Sequence, residues 1–284
     1  MTVPEIVGVL GGGRMGAGIA HAFLLAGAHV QLVERDAPSA DAARERVVAS
    51  IATSVTRGDL RDATAVTDSL AVGTDITAFT DAGLVIEAVP EDRDLKVDAL
   101  TRIEAVLAAD AVLATNTSSI SIDALAASLT RPQRFLGLHF FNPVPASKLV
   151  ELVVGTRTDD TVVADAGSWV AALGKTPVVV RDSPGFASSR LGVMLGLEAI
   201  RMLEEGVADA ADIDAAMELG YRHPMGPLRT TDVVGLDVRL GIAEELAREL
   251  GPRFEPPALL RRLVAEGKLG RKSGEGFYVW NEER

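Results

Sequence analysis

Short runs of β-branched and other apolar residues alternate with longer stretches of helical periodicity over roughly the first 180 residues. Strands that alternate with helices in this way form βαβ units, so the pattern predicts a mainly parallel sheet with helices on both faces. The predicted strands are Ile6–Leu10, Val30–Glu34, Leu84–Val89, Ala111–Thr115, Phe135–Leu138, Leu149–Val154 and Thr176–Val180. The helices predicted between them include Met15–Leu25, Asp92–Leu107 and Ile122–Leu129.

One stretch departs from this alternation. From Ser39 to about Leu70 the periodicity is that of two helices with no strand between them. Arg57-Gly58 separates the two, since glycine commonly ends a helix. The pattern therefore predicts a helical hairpin inserted after the second strand.

The character of the chain changes again near Pro184-Gly185, a pair of residues typical of a junction. Beyond it the periodicity is helical throughout and predicts no strand. The helices predicted there are Leu191–Leu203, Ala211–Leu219, Val234–Leu250 and Pro257–Ala265. We therefore expect an α/β domain over residues 1–183, followed by an all-α domain over 184–284.

Composition excludes several kinds of protein. The chain has 284 residues, of which 48% are hydrophobic, enough for a large packed core. Its 28 basic and 40 acidic residues give a formal net charge of −12, which disfavours nucleic acid and anionic membranes as partners. Cysteine is absent and no His-Glu-x-x-His occurs, so we expect neither disulfides nor a metal site. Without a recognisable signal peptide or spanning segment, a soluble cytoplasmic protein is expected.

The first predicted strand is followed directly by the sequence GGGRMG, which fits the G-x-G-x-x-G pattern of dinucleotide-binding turns. In such a turn Gly11 makes the tight bend, Gly13 lets a pyrophosphate approach the backbone, and Gly16 lets the helix pack closely on the strand. The amides of Arg14 and Met15 would then point at phosphate from a helix N-terminus. Because a strand precedes the motif and a helix follows it, a Rossmann-like dinucleotide site is favoured over a glycine-rich turn without a ligand.

The second predicted strand ends at Glu34, about 20 residues beyond the glycines, where a carboxylate accepts hydrogen bonds from adenosine ribose hydroxyls. A carboxylate there repels a 2′-phosphate, so Glu34 favours NAD over NADP as the cofactor. The neighbouring Arg35 keeps NADP open as an alternative, since arginine binds that phosphate in other proteins. An ordinary solvated glutamate is the remaining interpretation.

Four histidines are present, and His139 differs from the others in its position. It follows an apolar run and begins an irregular loop, which is where α/β sheets place their chemistry. Glu151 is a single carboxylate in the next apolar run, and a buried carboxylate needs a partner such as an imidazole. The pair could be a proton acceptor and the group that orients it, or both could be structural. His21, His29 and His223 are expected to be structural or solvated.

Ser118 follows another predicted strand, within the segment Ala114–Ser119. Its hydroxyl could donate a hydrogen bond to a substrate oxygen. Serines that precede a helix are also ordinary N-caps. Both roles coexist if Ser119 or Ser121 caps the helix while Ser118 faces the site.

Motifs that follow one another along nearly the whole chain carry a resemblance to a known family. The segments are GGGRMGAGIA, VIEAVPE, NTSS, HFFNPVP, KLVE, DSPGF, HPMGP and KSGEGFY. They resemble those of the L-3-hydroxyacyl-CoA dehydrogenases, most closely the bacterial 3-hydroxybutyryl-CoA type. The resemblance implies an NAD-dependent enzyme that converts a short-chain 3-hydroxyacyl-CoA to the 3-oxoacyl-CoA and back.

The resemblance also implies roles for individual residues. His139 would be the base and Glu151 its partner, while Ser118 and Asn142 would contact the substrate and the nicotinamide. It further implies a homodimer formed through the helical domain, where one layer of helices leaves apolar runs such as Leu191–Leu197 uncovered.

Other positions match the family's binding residues, with two departures. Glu91 and Lys96 match positions near the cofactor ribose. Ser50 and Arg57, on the predicted hairpin, match positions that contact CoA, and Arg57 stands where the family usually has lysine. Ser189 stands where the family has an asparagine that reaches toward substrate. Serine is shorter and lacks the paired donor and acceptor of an amide.

Ser189 leaves the substrate open, because a carrier-protein-bound hydroxyacyl group or a free hydroxy acid would use the same chemistry. A dinucleotide-binding structural or sensory protein without catalysis is a hypothesis from another class. The presence of His139, Glu151 and Ser118 argues against it. Neither acyl chain length nor the physiological direction follows from the sequence.

Overall fold

The computed structural model describes residues 2–58, 60 and 62–280. The chain divides between Asp182 and Ser183 into two compact units, the first α/β and the second helical. Among the described residues, no helix combines the length and the hydropathy that crossing a membrane requires.

The first unit is built on one eight-stranded sheet. Its strands are β1 Ile6–Leu10, β2 His29–Val33, β3 Leu70–Gly73, β4 Leu84–Glu87, β5 Val112–Thr115, β6 Phe135–Phe140, β7 Leu149–Val154 and β8 Thr176–Arg181. They lie in the order β3-β2-β1-β4-β5-β6-β7-β8, and every neighbouring pair is parallel except β6 and β7. The prediction of a mainly parallel sheet is confirmed. Since the strand order reverses between β1 and β4, their carboxyl ends flank the switch point where such sheets bind ligands.

Helices connect the strands of this unit. They are α1 Arg14–Leu25, α2 Ala37–Arg57, α3 Thr64–Asp68, α4 Arg93–Val106, α5 Ile122–Ala126 and α6 Asp160–Ala172. Aspartates begin two of them, because the carboxylates of Asp36 and Asp92 accept hydrogen bonds from first-turn amides of α2 and α4. Gly58 ends α2 in the left-handed conformation. Every residue of β4, β5 and β6 is buried, as expected for a sheet covered on both faces.

The strand β3 was missing from the prediction. The predicted hairpin is present, but α2 has 21 residues and α3 only five, after which the chain enters β3 at Leu70. β3 pairs with β2 alone and lies at the edge of the sheet. A strand of four residues has too few alternating positions to be distinguished from a helix by periodicity.

The second unit consists of helices packed around a core of aliphatic side chains and Phe254. The helices are α7 Ser188–Glu204, α8 Ala210–Tyr221, α9 Pro227–Val234, α10 Leu236–Leu250 and α11 Ala258–Ala265. The single helix predicted over 234–250 is wrong at its start, because Gly235 separates α9 from α10. Its φ of +106° is incompatible with a continuous right-handed helix.

A buried carboxylate fastens the C-terminal segment of the second unit. Asp232 accepts hydrogen bonds from the backbone amides of Phe277 and Tyr278, each at 2.9 Å, and from the Trp280 indole at 2.7 Å. A Cβ on Gly276 would lie 2.2 Å from Asp232 Oδ1, so only glycine fits there. The segment KSGEGFY therefore has a structural role in this unit.

Candidate active site

His139 and Glu151 lie opposite each other on the antiparallel strands β6 and β7. The imidazole Nδ1 is 2.9 Å from the carboxylate Oε2, and both side chains are buried. Because a carboxylate only accepts hydrogen bonds, Nδ1 carries the proton and the basic lone pair of the neutral ring is on Nε2. A positive charge on the ring is stabilised by the carboxylate behind it. The pair can therefore accept a proton from a reactant.

The turn that follows β5 is attached to the strand that carries His139. The side-chain oxygen of Asn116 accepts a hydrogen bond from the backbone N–H of Phe140 at 2.9 Å. Ser121, not Ser118, provides the N-cap of α5. The capping role is thus taken by a neighbour, and a substrate contact of the Ser118 hydroxyl stays a prediction.

Glu91 holds the same turn through one carboxylate oxygen. It accepts hydrogen bonds from Thr117 Oγ1 at 2.6 Å, Ser118 N at 2.9 Å and Ser119 N at 3.0 Å. Its other oxygen is 3.3 Å from the ammonium of Lys96. Burial raises the pKa of Glu91, but the charge of Lys96 and these hydrogen bonds outweigh burial and hold the pKa below its ordinary value. Glu91 therefore remains a carboxylate at neutral pH.

Lys96 is fully buried in an ion pair with Glu87, whose carboxylate lies 2.8 Å from the ammonium. The ammonium also donates to Val89 O, and Thr115 Oγ1 donates to the second Glu87 oxygen at 2.6 Å. A buried ion pair is tolerated when its remaining polar atoms are bonded in this way. Of the two residues predicted near the ribose, Glu91 keeps part of its side chain exposed, whereas the side chain of Lys96 is buried.

The glycine turn lies at the switch point between β1 and β4. Gly11 has a φ of +95°, and a Cβ on Gly16 would lie 1.8 Å from Gly11 O, so both positions require glycine. A Cβ on Gly13 would meet no atom within 4 Å, which leaves open space beside the backbone. The Glu34 carboxylate accepts from Gly12 N at 2.6 Å and thus lies against the turn. The turn and the carboxylate predicted from the sequence are adjacent.

A cavity of about 500 Å³ lies between α1, α2 and the loop that follows β6. It brings together three predicted residues that are distant in sequence: Ser50 and Arg57 of α2, and Asn142 of the loop. Arg14, whose amide is predicted to face phosphate, also lines it with its side chain. The cavity can therefore hold an anionic ligand next to the glycine turn.

A buried lysine fixes the loop that forms one wall of this cavity. Lys175 donates hydrogen bonds to Val144 O and Ser147 O, both at 2.6 Å. Desolvation lowers the pKa of the Lys175 ammonium. On the opposite side Gly18 of α1 lets the loop approach, because a Cβ there would be 2.8 Å from Val144.

Sequence reasoning missed two residues of the cavity, His21 and Arg46. Arg46 lines the cavity and donates to Gly12 O at 3.1 Å, so it touches the cavity and the glycine turn together. A pattern in the sequence could have found it, since Arg46, Ser50 and Arg57 recur at intervals that put them on one helix face. Ser189 lies in the first turn of α7, in the other compact unit from His139, and its substrate contact stays a prediction.

Two family descriptions match successive parts of the chain. Residues 6–183 match "3-hydroxyacyl-CoA dehydrogenase, NAD binding domain", and residues 185–280 match "3-hydroxyacyl-CoA dehydrogenase, C-terminal domain". The chain belongs to the 3-hydroxyacyl-CoA dehydrogenase family. The predictions of family, fold class, oxidoreductase activity and NAD as cofactor are thereby confirmed.

Several members of the 3-hydroxyacyl-CoA dehydrogenase family are similar to this chain over nearly the full length of both chains. A 3-hydroxybutyryl-CoA dehydrogenase of Mycobacterium tuberculosis is 44% identical over 96% of this chain and 98% of its own. The crystal structure of M. tuberculosis FadB2, at 43% identity, covers 98% of this chain and 100% of that one with a TM-score of 0.94. That of (S)-3-hydroxybutyryl-CoA dehydrogenase PaaH1 from Ralstonia eutropha, at 39%, covers 98% and 100% with a TM-score of 0.93.

The residues of this dehydrogenase fit the family's cofactor. The space beside Gly13 leaves room for a pyrophosphate against the backbone. The first turn of α1 contains no acidic residue, and the N-cap Gly13 makes no side-chain hydrogen bond to its amides, so this helix N-terminus suits an anion. The Glu34 carboxylate beside the turn retains acceptor positions for ribose hydroxyls.

Proposed function

We propose that this chain oxidises the 3-hydroxyl group of a short-chain 3-hydroxyacyl-CoA with NAD and also catalyses the reverse reduction. The buried His139–Glu151 pair is the observation that carries the proposal, because it supplies the proton acceptor that oxidation of an alcohol requires. The family assignment supports hydride transfer as the reaction class.

In the oxidation, Nε2 of His139 accepts the hydroxyl proton while the carbon loses its hydride. Bound NAD supplies the hydride acceptor. Glu151 keeps the ring in the tautomer that leaves Nε2 basic and then stabilises the imidazolium. The Ser118 hydroxyl donates to the reacting oxygen and holds it in place. Asn142, at the start of the cavity loop, orients the substrate relative to the nicotinamide.

The cofactor is assigned to the switch point of the sheet. Its pyrophosphate is taken by the turn of Gly11, Gly13 and Gly16, with the amides of Arg14 and Met15. Glu34 and Glu91 are assigned to the ribose side of the cofactor, and the buried Lys96 supports Glu91 there through their ion pair. Arg35, whose exposed side chain pairs with Asp36, does not outweigh the carboxylate next to it, so NAD is preferred to NADP.

The cavity between α1 and α2 is assigned to the CoA portion of the substrate. Arg14, Arg46 and Arg57 line it, and their charges suit the phosphates of CoA although the chain as a whole has a net charge of −12. Ser50 adds a hydroxyl to the same wall. Arg57 provides the positive charge that a lysine usually provides in the family. Its planar guanidinium can donate two parallel hydrogen bonds to a phosphate.

We further propose a cytoplasmic homodimer that has no nucleic acid or membrane partner. The acidic net charge supports the last point. The helices α7, α9 and α10 pack beside one another. Each carries exposed apolar side chains, which supports a dimer through the helical unit. These side chains are Leu191, Val233, Val234 and Val238.

The proposal is tested by following NADH oxidation with acetoacetyl-CoA, repeated with NADPH. We expect turnover with NADH and much slower turnover with NADPH. Assays with acetoacetyl groups on a carrier protein and with free acetoacetate distinguish the alternative substrates that Ser189 leaves open. NADH binding without turnover on any of them would contradict the proposal and favour a structural or sensory protein.

A further inference from the structure

His21 is a buried polar side chain on α1, and both of its ring nitrogens face serine hydroxyls of α2. Nδ1 lies 2.7 Å from Ser50 Oγ, and Nε2 lies 3.2 Å from Ser54 Oγ. Its neighbours on α1, among them Ile19 and Phe23, are buried hydrophobic residues. An imidazole in such surroundings is costly unless its polar atoms are hydrogen-bonded. The two serines therefore hold the ring in one orientation.

The two serines differ in how far they are open to a ligand. Both line the cavity together with His21, but Ser54 is only 6% exposed, whereas Ser50 is half-buried. A hydroxyl has one proton and two lone pairs, and a neutral imidazole has one donor and one acceptor nitrogen. The ring nitrogen opposite Ser50 thus decides whether the serine offers the cavity a proton or a lone pair.

The charges around the cavity indicate which of these a ligand needs. Its titratable lining residues, besides His21, are Arg14 on α1 and Arg46 and Arg57 on α2, and the loop over 142–146 contributes none. Asp68 of α3, the remaining helix that packs on α1, is exposed. A ligand that suits these cations is rich in oxygen acceptors, as phosphates and amide carbonyls are. Ser50 is useful to it as a donor.

We propose that His21 is a positioning residue of the substrate site, which turns the Ser50 hydroxyl proton toward an oxygen of the CoA portion. Ser54 donates to Nε2, Nδ1–H donates to Ser50 Oγ, and the Ser50 proton is left for the ligand. This inference rests on the proposed acyl-CoA substrate. It adds a residue that takes no part in the proton transfer at His139.

The test is a double-mutant cycle between His21 and Ser50, read out by calorimetric titration with coenzyme A. His21→Leu removes both ring nitrogens and is expected to weaken CoA binding about fivefold to tenfold, as expected for loss of one oriented hydrogen bond. Ser50→Ala is expected to weaken binding similarly. If His21 acts through Ser50, the double variant is no weaker than Ser50→Ala alone.

Two further variants separate positioning from a general effect on the fold. His21→Gln keeps one donor and one acceptor and is expected to bind CoA within about twofold of the wild type. His29→Leu, at an exposed histidine, is the matched control and is expected to bind CoA normally.

In His21→Leu the loss appears in KM for acetoacetyl-CoA far more than in kcat, and the Kd for NADH stays unchanged. Should His21→Leu fold poorly, His21→Asn, which is too short to bridge both serines, replaces it.

Normal CoA binding by His21→Leu would overturn the inference, as would a full further loss when His21→Leu is added to Ser50→Ala. Equal losses of CoA and NADH affinity would also overturn it, because they indicate a general disturbance of α1. These outcomes differ from failure of the proposed function, in which the wild type itself neither binds CoA nor turns over acetoacetyl-CoA.

Discussion

Glu151 determines what His139 can do, because the two side chains face each other across neighbouring strands. The carboxylate assigns the imidazole proton to Nδ1 and thereby makes Nε2 the basic atom. A buried histidine without such a partner would have either tautomer available. At the scale of single residues, one hydrogen bond of 2.9 Å thus separates a structural histidine from a candidate base.

Replacing His139 tests this assignment most directly. We expect His139→Gln to fold and bind NADH normally but to lose on the order of 10²–10⁴-fold in kcat with acetoacetyl-CoA, since glutamine cannot accept the proton. Stopped-flow or steady-state NADH oxidation measures the loss, and fluorescence titration measures NADH binding. His29→Gln, at an exposed histidine, is the control. Near-normal turnover of His139→Gln would show that another group is the base.

The lowered pKa of Glu91 predicts that the stability of the folded protein depends on pH. Its pKa is lowered in the folded protein, so the carboxylate stabilises the fold above the ordinary value of 4.5, and this contribution is lost as pH falls through the lower folded-state pKa. The wild type should therefore be more stable than Glu91→Gln at pH 7, and the difference should shrink below pH 4.5. Urea unfolding at several pH values measures it. Glu249→Gln, at an exposed carboxylate, should show no such trend.

Among the elements, α2 contributes most to the proposed substrate site. Arg46, Ser50, Ser54 and Arg57 follow one another at three- or four-residue intervals, which places them along one side of the helix. Buried alanine and aliphatic residues attach the helix to the core. Its amphipathic pattern therefore has two functions, since the apolar side anchors the helix and the polar side forms a wall of the cavity.

The close packing of Gly276 against Asp232 predicts that a larger residue at position 276 lowers the stability of the fold. A Cβ on Gly276 would overlap the carboxylate of Asp232 and disturb three hydrogen bonds. We expect Gly276→Ala to lower the free energy of unfolding by about 2 kcal/mol, as forced overpacking commonly does. Chemical denaturation measures the change. Gly220→Ala, in open space on α8, should be neutral or slightly stabilising, and an equal loss in both variants would contradict the packing argument.

On the scale of the whole molecule, the exposed apolar side chains of the helical unit require an explanation. Leu191 is 71% exposed and Val238 44% exposed. Contiguous apolar surface on a soluble protein commonly marks an interface. A closed symmetric dimer is the simplest assembly that covers such a surface on both copies.

Sedimentation velocity at micromolar concentration should therefore give a dimer. Val238→Glu, which puts a charge into the apolar surface, should shift the chain toward a monomer because an unpaired charge is costly to bury. Leu25→Glu, at a similarly exposed apolar residue of the α/β unit, should leave the dimer intact. A monomeric wild type, or a dimer unaffected by Val238→Glu, would contradict a dimer through this face.

Much of the fold and of the proposed site follows from local patterns. The apolar periodicity predicts most strands of the sheet within two residues of their ends, and the glycine turn, Glu34 and the candidate pair at 139 and 151 are recognisable in the sequence. The edge strand β3 and the break at Gly235 were missed. A four-residue strand has little periodicity of its own, and the break follows from a backbone φ that neighbouring apolar residues do not reveal.

By itself the sequence determined most of the elements, the dinucleotide turn and the family, because apolar spacing, capping residues and glycine positions act over a few neighbouring residues. Only the tertiary structure decided which side chains meet. The antiparallel pairing of β6 with β7 places Glu151 against His139, and the packing of α1 on α2 places His21 against Ser50. Both contacts depend on the register between segments that are separate in sequence, and such register leaves no local periodicity from which it could be predicted.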